Sequence, residues 1–274
     1  MSDHSDVRRP AEGGLTREAL VGDLRALGVQ PGQVLLVHAS LRAIGKVDGG
    51  AATVVAAIRE AVGNEAGTVV MSAATEANSD TSRAYQARIA GMSAAQAAEY
   101  RNRMPAFDAA STPATGVGSI AEALRTTRGA VRSGHPQSSF AAIGRAAAEL
   151  MARHPLTSHL GMDSPLGGLY QRDTLMLLLG VGYQACSALH LAEYLYTATP
   201  PMRDYACVIT ANGLRQWATY QDVVLDDSDF AEIGKFVDVE ADVRRGYVGG
   251  ASCRLVPMRE TVDCAADWLC RHRR

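Results

Sequence analysis

The chain has 274 residues and a formal net charge of −2, with 47% apolar and 20% charged residues. This composition is typical of a globular protein that is long enough to bury a substantial core. The near-neutral charge argues against nucleic acid as the main partner, because phosphate binding needs a clustered basic surface. No apolar run has the length of a membrane span and the polar N-terminus does not resemble a signal peptide, so we expect a cytoplasmic protein that does not engage a membrane.

The first part of the chain alternates between strands and helices. Residues 1–15 are predicted to be a disordered N-terminus, and residues 16–274 are predicted to form a single domain. Strand–helix–strand alternation predicts parallel strands that are joined by right-handed crossovers. The predicted elements here are helices at 17–27 and 50–62 and strands at 34–40 and 67–73.

A long insertion, at about 74–118, interrupts this alternation and is typical of a functional loop or lid. Farther along, Asn212-Gly213 predicts a β-hairpin over 206–221. Together the elements predict an α/β fold: a central mixed, largely parallel sheet flanked by helices, with a long loop/helical insertion and a C-terminal β-hairpin region. The remaining predictions are helices at 93–103, 118–127, 144–153, 227–239 and 257–270 and strands at 140–144, 175–179 and 246–256.

The strongest chemical signal follows the apolar run 175–179, where a glycine turn leads into a segment predicted to be helical. His190 and Glu193 in this segment are three residues apart and therefore share a helix face. A histidine can act as a base near neutral pH, and the carboxylate can orient it or hold a cationic substrate. Cys186, four residues before His190, is a competing nucleophile. The five cysteines otherwise contain no C-x-x-C pair, so we expect reduced thiols.

Two further segments are rich in polar groups. His38 ends an apolar strand, and Ser40 after it can cap a helical turn whose backbone N–H groups bind an anion. The alternative is an ordinary capped turn beside a histidine whose hydrogen bonds are satisfied within the protein. The segment from Arg132 to Ser139 contains a cation, three hydroxyls, an amide and an imidazole, which indicates either ligand contact or a polar turn. Neither a dinucleotide-binding glycine motif nor a P-loop is present.

Four acidic loop residues, Glu76, Asp80, Asp108 and Asp163, would attract a polycation if they surrounded one cleft, although singly each is typical of a solvated loop. Histidine and carboxylate pairs with metal-ligand spacing are absent among the candidates, so we predict no metal. The one basic cluster, residues 271–274, is expected to be a frayed terminus.

Taken together, seven segments in chain order resemble the aminoglycoside 3-N-acetyltransferases of the antibiotic N-acetyltransferase family. The resemblance covers nearly all of residues 16–270. The match departs at Ala185-Cys186-Ser187, where the family usually has a polar pair such as Asn-Thr, and at 71–74, where it often has a proline and an aromatic residue. The resembling segments are 35–50, 67–73, 105–125, 132–144, 164–170, 177–194 and 227–234.

The resemblance implies direct acetyl transfer from acetyl-CoA to the 3-amino group of a 2-deoxystreptamine aminoglycoside, and hence antibiotic resistance. The alternative is the same fold and co-substrate acting on a different amine in antibiotic biosynthesis. His190 would be the general base, Glu193 would tune it or bind the drug, and His38 or backbone N–H groups would stabilise the oxyanion. The partners would be coenzyme A and an aminoglycoside antibiotic, and the protein would be a monomer or homodimer.

The resemblance also implies two sets of binding residues. Coenzyme A would contact residues of the two polar segments, and the aminoglycoside would contact carboxylates. The coenzyme set is His38, Ser40, Leu41, Arg42, Gly45, Arg132, Ser133, His135 and Ser138, and the substrate set is Glu76, Asp80, Asp108, Asp163 and Glu193.

Overall fold

The computed structural model describes residues 13–75 and 78–273, and within them the strands form one large sheet and one separate hairpin. The strands of the large sheet are β1 (Val34–Ala39), β2 (Thr68–Ser72), β3 (Val131–Arg132), β4 (Phe140–Gly144), β5 (Thr174–Leu179), β8 (Arg244–Val248) and β9 (Ala251–Pro257). The hairpin consists of β6 (Met202–Ala211) and β7 (Leu214–Val223). The order in the large sheet is β3-β4-β2-β1-β5-β9-β8. This arrangement confirms the predicted mixed α/β class.

Helices cover both faces of the large sheet. They are α1 (Arg17–Leu27), α2 (Leu41–Ile44), α3 (Gly50–Ala61), α4 (Arg83–Ile89), α5 (Ala94–Arg103), α6 (Ser119–Thr126), α7 (Ala147–Met151), α8 (Pro165–Tyr170), α9 (His190–Glu193), α10 (Phe230–Glu240) and α11 (Met258–His272). Among the described residues, no helix is both long and apolar enough to cross a membrane.

The parallel pairing lies at the centre of the sheet, where β1 pairs with β2 on one side and with β5 on the other. The outer strands β3, β4, β8 and β9 pair antiparallel. Because side chains alternate along a strand, Leu35 and Val37 enter the core under α1, α3 and α6, whereas Leu36 enters the core on the opposite face. A strand buried on both faces explains why β1 is a continuous apolar run rather than an alternating one.

Several predicted boundaries agree closely with the structure. Thr16 caps α1, with the backbone N–H of Ala19 donating to its hydroxyl over 3.3 Å. Asn212 and Gly213 both adopt positive φ, 51° and 76°, as a tight hairpin turn requires. The predicted disordered N-terminus lies outside the described residues except for 13–15, where Leu15 forms a bridge with Val47.

Three predictions were wrong in detail. The strand predicted at 246–256 is two antiparallel strands, β8 and β9, because the chain turns at Gly249, whose φ is 56°. The helix predicted at 144–153 is only α7, since Gly144 still belongs to β4. The helical segment that carries His190 consists of two 3-10 turns, at 183–185 and 187–189, followed by the single turn α9.

The insertion at 74–118 contains α4 and α5 and packs on the β6–β7 hairpin, and we call these two parts the hairpin lobe. Tyr85 and Met104 of the insertion form a small apolar cluster with Val208 of the hairpin. The Asn78 side chain accepts from the Val208 N–H over 2.8 Å and donates to the Val208 carbonyl over 2.9 Å. The insertion is therefore a folded support for the hairpin.

Candidate active site

A cavity of about 480 Å³ opens where the central parallel strands β1 and β5 end. His38 lies opposite Leu178 in the sheet, and the backbone N–H of Ser40 donates to the Leu179 carbonyl over 2.9 Å. The loops after both strands therefore meet at one edge, which is where open α/β sheets bind ligands. The lining residues are Val37, His38, Ala39, Ser40, Leu41, Arg42, Met71, Ser72, Gly116, Val117, Gly118, Ser119, Ala121, Val181, Ala185 and Ser187.

The β1 side of the cavity contains four of the predicted coenzyme residues, His38, Ser40, Leu41 and Arg42. His38 is buried, and burial lowers its pKa to about 4, so its imidazole is neutral at physiological pH. Ser40 caps α2, with the Ala43 N–H at 3.4 Å from its hydroxyl. Gly45, also in the predicted set, ends α2 with φ 100° and is not one of the lining residues.

The predicted base, His190, is not one of the lining residues and lies three residues beyond Ser187, which is. His190 Nδ1 lies 2.7 Å from Glu193 Oε2. Because an ionised carboxylate only accepts hydrogen bonds, this contact places the proton on Nδ1 and leaves a lone pair on Nε2. No described residue forms a hydrogen bond with His190 Nε2, and the ring packs on Phe230 with centroids 4.6 Å apart. The pair therefore presents one basic nitrogen that the protein does not use itself.

Glu193 is buried and its second oxygen is also satisfied. Oε1 accepts from the Asp226 backbone N–H over 2.9 Å and from the Arg273 guanidinium over 2.5 Å. Arg273 also donates to Asp229 over 2.7 Å, so it bridges two carboxylates. The expectation that residues 271–274 fray is wrong for Arg273, which follows α11 directly. No local pattern signals this contact, because Arg273 and Glu193 are 80 residues apart in sequence.

Cys186 does not act as the competing nucleophile in this arrangement. Its side chain is fully buried, and burial raises the pKa of the thiol to about 12. The nearby His190 imidazole is engaged at Nδ1 with Glu193. A buried thiol that stays protonated at neutral pH is a packing residue.

The second predicted coenzyme segment begins with Arg132, whose guanidinium is held inside the protein. It donates to the backbone carbonyls of Ala73 and Thr112 and to the Thr75 hydroxyl. It also lies 4.9 Å above the Phe107 ring. Burial lowers its pKa to about 10, so it remains a cation at neutral pH. These contacts fix the start of the insertion to β3.

Ser133, His135 and Ser138 of that segment belong to a cluster of three histidines, His135, His154 and His159, which we call the histidine cluster. His135 and His159 are buried, and His154 is half-buried. The His135 ring lies 4.8 Å from His154 and 4.5 Å from His159, between centroids. Ser133 bonds to His154 Nδ1 over 2.8 Å, and Ser138 to His135 Nδ1 over 3.1 Å. None of these five side chains lines the cavity beside His38. The role of Ser133, His135 and Ser138 in coenzyme binding stays a prediction that the geometry does not support.

The histidine cluster is anchored to the hairpin lobe by Asp222 of β7. The Asp222 carboxylate accepts from His159 Nδ1 over 2.7 Å and from the His159 backbone N–H over 2.6 Å. Burial opposes ionisation of Asp222, but the hydrogen bonds from His159 hold its pKa below the usual value. His154, His159 and Asp222 had no distinguishing spacing in the sequence, so sequence reasoning missed them.

The predicted acidic substrate residues do not converge on His190. Asp80 accepts from the Ala206 N–H over 2.9 Å, Asp108 from the Ser111 N–H over 2.7 Å, and Asp163 pairs with Arg153 over 3.2 Å. Glu76 lies outside the described residues. The carboxylate that does lie near His190, besides Glu193, is Asp226, whose pKa is lowered mainly by hydrogen bonds from Ser228 and to a smaller extent by His190.

Comparison with known proteins identifies the family of the chain. The family model described as aminoglycoside 3-N-acetyltransferase matches residues 36–270. The chain is 36% identical, over 93% of its length and 92% of the relative's, to the prophage-derived aminoglycoside N(3')-acetyltransferase-like protein YokD of Bacillus subtilis. It is 34% identical, over 97% and 96%, to the aminoglycoside N(3)-acetyltransferase VII of Streptomyces paromomycinus.

Two solved structures share the fold over nearly the whole chain. AAC-VIa bound to sisomicin superposes with a TM-score of 0.81 at 32% identity, covering 96% of this chain and 100% of that one. AAC-IIIb in a binary complex with CoASH gives a TM-score of 0.81 at 30% identity, covering 94% and 97%. The chain is an acyltransferase and belongs to the aminoglycoside 3-N-acetyltransferase family.

Proposed function

We propose that this chain transfers an acetyl group from acetyl-CoA to the 3-amino group of a 2-deoxystreptamine aminoglycoside by direct transfer, with His190 as the general base. The observation that carries the proposal is the His190–Glu193 pair, which leaves a basic nitrogen without a hydrogen-bond partner among the described residues. His190 follows by three residues Ser187, which lines the cavity at the ends of β1 and β5. The family to which the chain belongs supports the reaction class. The sisomicin complex of AAC-VIa supports the class of acceptor.

The cavity suits the acyl end of acetyl-CoA, and the CoASH complex of AAC-IIIb supports this donor. Its volume of about 480 Å³ lies in the range of small-molecule sites. The apolar side chains Val37, Met71 and Val181 can contact an alkyl chain, and the exposed guanidinium of Arg42 can pair with phosphate. When bound, acetyl-CoA supplies an acetyl group that is activated as a thioester.

His190 removes the proton that the acceptor nitrogen loses as the amide forms. An ammonium group has no lone pair, so the acceptor reacts as the neutral amine, whose nitrogen becomes positively charged as it attacks and must then give up a proton. Nε2 of His190 accepts this proton, and Glu193 holds the ring in place through Nδ1. The imidazolium that forms is stabilised by the buried carboxylate, whose charge Arg273 balances.

The acceptor is a polycation, and carboxylates near the base would hold it. Asp226 is half-exposed next to the Glu193–Arg273 pair and is the nearest candidate among the described residues. Asp80 and Asp108 are on the hairpin lobe, and their role in binding the drug stays part of the proposal. Asp163 forms a surface pair with Arg153, and no contact connects it to His190.

The direct test is mass spectrometry of kanamycin and apramycin after incubation with acetyl-CoA, with the modified nitrogen assigned by NMR. We expect one added acetyl group on the 3-amino nitrogen and none with the His190→Gln variant. A panel of unrelated amines run in parallel tests the alternative acceptor. Acetylation of such an amine with no reaction of either aminoglycoside would contradict the proposed substrate while retaining the proposed chemistry.

A further inference from the structure

Three buried side-chain polar atoms among the described residues lack any hydrogen-bond partner: His38 Nε2, Ser187 Oγ and Thr174 Oγ1. A buried polar group without a partner costs about 1–3 kcal/mol, so such groups are usually satisfied by water or ligand. His38 and Ser187 both line the cavity at the ends of β1 and β5, whereas Thr174 lies at the opposite end of β5 and outside it. The two unpartnered groups that share a cavity therefore indicate a ligand contact that the protein alone does not provide.

Ser187 lies three residues before the proposed base, and His38 lies on the neighbouring strand. Ser187 begins the 3-10 turn that runs directly into α9. Side chains three residues apart eclipse each other in a 3-10 turn, so Ser187 and His190 lie on the same side of this segment. His38 reaches the cavity from β1, the parallel neighbour of β5. The cavity is thus lined by two residues with unsatisfied polar groups, which follow two adjacent strands, and one of them lies three residues before the proposed base.

Both groups are suited to a carbonyl oxygen. A serine hydroxyl can always donate one hydrogen bond, and a neutral imidazole can donate through Nε2. Burial keeps His38 neutral, because it lowers the pKa to about 4. Neutral donors fixed in a buried site stabilise an oxygen that gains negative charge without needing a counter-ion. Apolar lining residues beside them, such as Val37 and Val181, leave room for a methyl group.

We infer that Ser187 Oγ and His38 Nε2 together bind the carbonyl oxygen of the acetyl thioester, which makes Ser187 a further catalytic residue. The inference rests on the proposed acetyl transfer. The acceptor nitrogen forms a bond to the carbonyl carbon while its proton passes to His190. The carbonyl π electrons move to the oxygen that faces Ser187 and His38, and return as the carbon–sulfur bond breaks. The sulfur leaves with that electron pair and takes up the proton from His190.

The first experiment compares the apo stability and the kinetics of Ser187→Ala. We expect kcat to fall about 10²-fold, as for the loss of one oxyanion donor, with little change in KM. The melting temperature of the apo protein should stay the same or rise, because the variant removes an unsatisfied hydroxyl. Ser187→Thr keeps the hydroxyl and should recover most of the activity. Wild-type kcat in Ser187→Ala, or a loss of kcat that follows a loss of stability, would overturn the inference.

Thr174→Val is the matched control. It also removes a buried hydroxyl without a partner, but one that lies outside the cavity. We expect unchanged kcat and a melting temperature that shifts in the same direction as in Ser187→Ala. If Thr174→Val lowers kcat as much as Ser187→Ala does, the effect comes from the buried hydroxyls in general, and the catalytic assignment fails.

The second experiment measures binding without any acceptor. Calorimetry compares a ketone analogue of acetyl-CoA, in which a methylene replaces the sulfur, with S-ethyl-CoA, which lacks the carbonyl oxygen. The wild type should prefer the ketone, and Ser187→Ala and His38→Phe should each reduce that preference about tenfold, the value of one net hydrogen bond. An unchanged preference would refute the inference whichever amine is the acceptor. If the wild type binds neither analogue, the proposed use of acetyl-CoA fails, and the inference fails with it.

Discussion

Two histidine–carboxylate pairs in this molecule have the same local geometry and different surroundings. His190 Nδ1 lies 2.7 Å from Glu193, and His159 Nδ1 lies 2.7 Å from Asp222. The His190 side chain is 16% exposed, and no described residue bonds its Nε2. The His159 side chain is 4% exposed, and its Nε2 contacts Gln137 and Tyr220. Only the first pair can accept a proton from a substrate without breaking protein contacts.

The second pair is a structural link. Asp222 belongs to β7 of the hairpin lobe, and His159 belongs to the loop before α8. Asp222 accepts further hydrogen bonds from the Tyr194 hydroxyl over 2.9 Å and from the Val223 N–H over 2.8 Å. All of these groups are paired, so the cluster fixes the lobe to the main sheet. A free imidazole nitrogen, rather than the histidine–carboxylate contact, therefore distinguishes the proposed catalytic pair from the structural one.

The largest expected effect separates the two pairs by kinetics. His190→Gln removes the base and should lower kcat about 10³-fold, with a melting temperature close to that of the wild type, because the side chain is partly exposed. Steady-state assay of thiol release and thermal denaturation measure the two quantities. His272→Gln is the control, since His272 is exposed on α11 and packs only on Trp268. Activity near the wild-type value in His190→Gln would exclude it as the base.

Asp222→Asn should lower the stability of the protein and leave kcat unchanged, which is the opposite of the result expected for His190→Gln. An amide in place of the carboxylate sets its NH2 donor against either the His159 donors or the Val223 N–H, whichever way it turns. The change also removes a buried negative charge, so it should lower the free energy of unfolding by about 3 kcal/mol. Folded molecules should keep their kcat. Urea denaturation gives the stability, and active-site titration normalises the rate. Asp204→Asn on β6, where the carboxylate is exposed and bonds only to Gln221, should leave both unchanged. A fall in kcat that remains after the rate is normalised to folded enzyme would give this pair a catalytic role.

The histidine cluster also predicts how stability depends on pH. Burial lowers the pKa of His135 well below its ordinary value and that of His154 to about 4. His38 at the cavity, whose pKa burial also lowers to about 4, adds a third group of the same kind. The unfolded chain therefore binds protons at these residues below about pH 6.5 while the folded chain does not. The contribution of these histidines to the free energy of unfolding is fully present above that pH. Below it, the free energy of unfolding should fall by about 1.4 kcal/mol for each unit that the pH is lowered and for each histidine. For His154 the loss continues down to about pH 4.

Denaturation in urea between pH 7.5 and about 5 measures this slope. Asp222 does not contribute within the window, because its pKa is lowered from an already acidic value and its stabilisation is lost only at lower pH. His154→Asn should make the slope shallower by one proton. A free energy of unfolding that is constant from pH 6.5 to 5 would show that these imidazoles are protonated in the folded protein.

Local patterns predicted most of the fold and part of the site. The apolar run of β1, the Thr16 cap and the Asn212-Gly213 turn depend on neighbouring residues, so they could be predicted from the sequence. The contact between His190 and Glu193 could also be predicted, because it depends on two residues only three positions apart. His159 and Asp222 meet across 63 residues, and their partners are fixed only when the hairpin lobe docks. The sequence therefore signals a base on a turn but not the distant groups that satisfy or balance it.

The smallest expected effect concerns such a distant group. Glu193 is balanced by the cation Arg273, whereas Asp222 is held by neutral donors and a histidine. In Arg273→Gln the Glu193 charge acts on His190 without compensation, so the protonated base is favoured. We expect kcat/KM near neutral pH to fall about tenfold, or 1.4 kcal/mol, and the acidic limb of the pH profile to move to higher pH.

Two variants show whether this effect comes from the charge at that position. Arg273→Lys keeps the charge and should recover part of the rate. Arg271→Gln removes a cation near the same helix end that pairs with Asp267 and lies over the Phe236 ring, and it should leave the profile unchanged. A profile in Arg273→Gln that superposes on the wild type would mean that Asp226 N–H and His190 alone hold Glu193. The catalytic pair would then be as self-contained as the structural one, and the free Nε2 would be the whole of the difference between them.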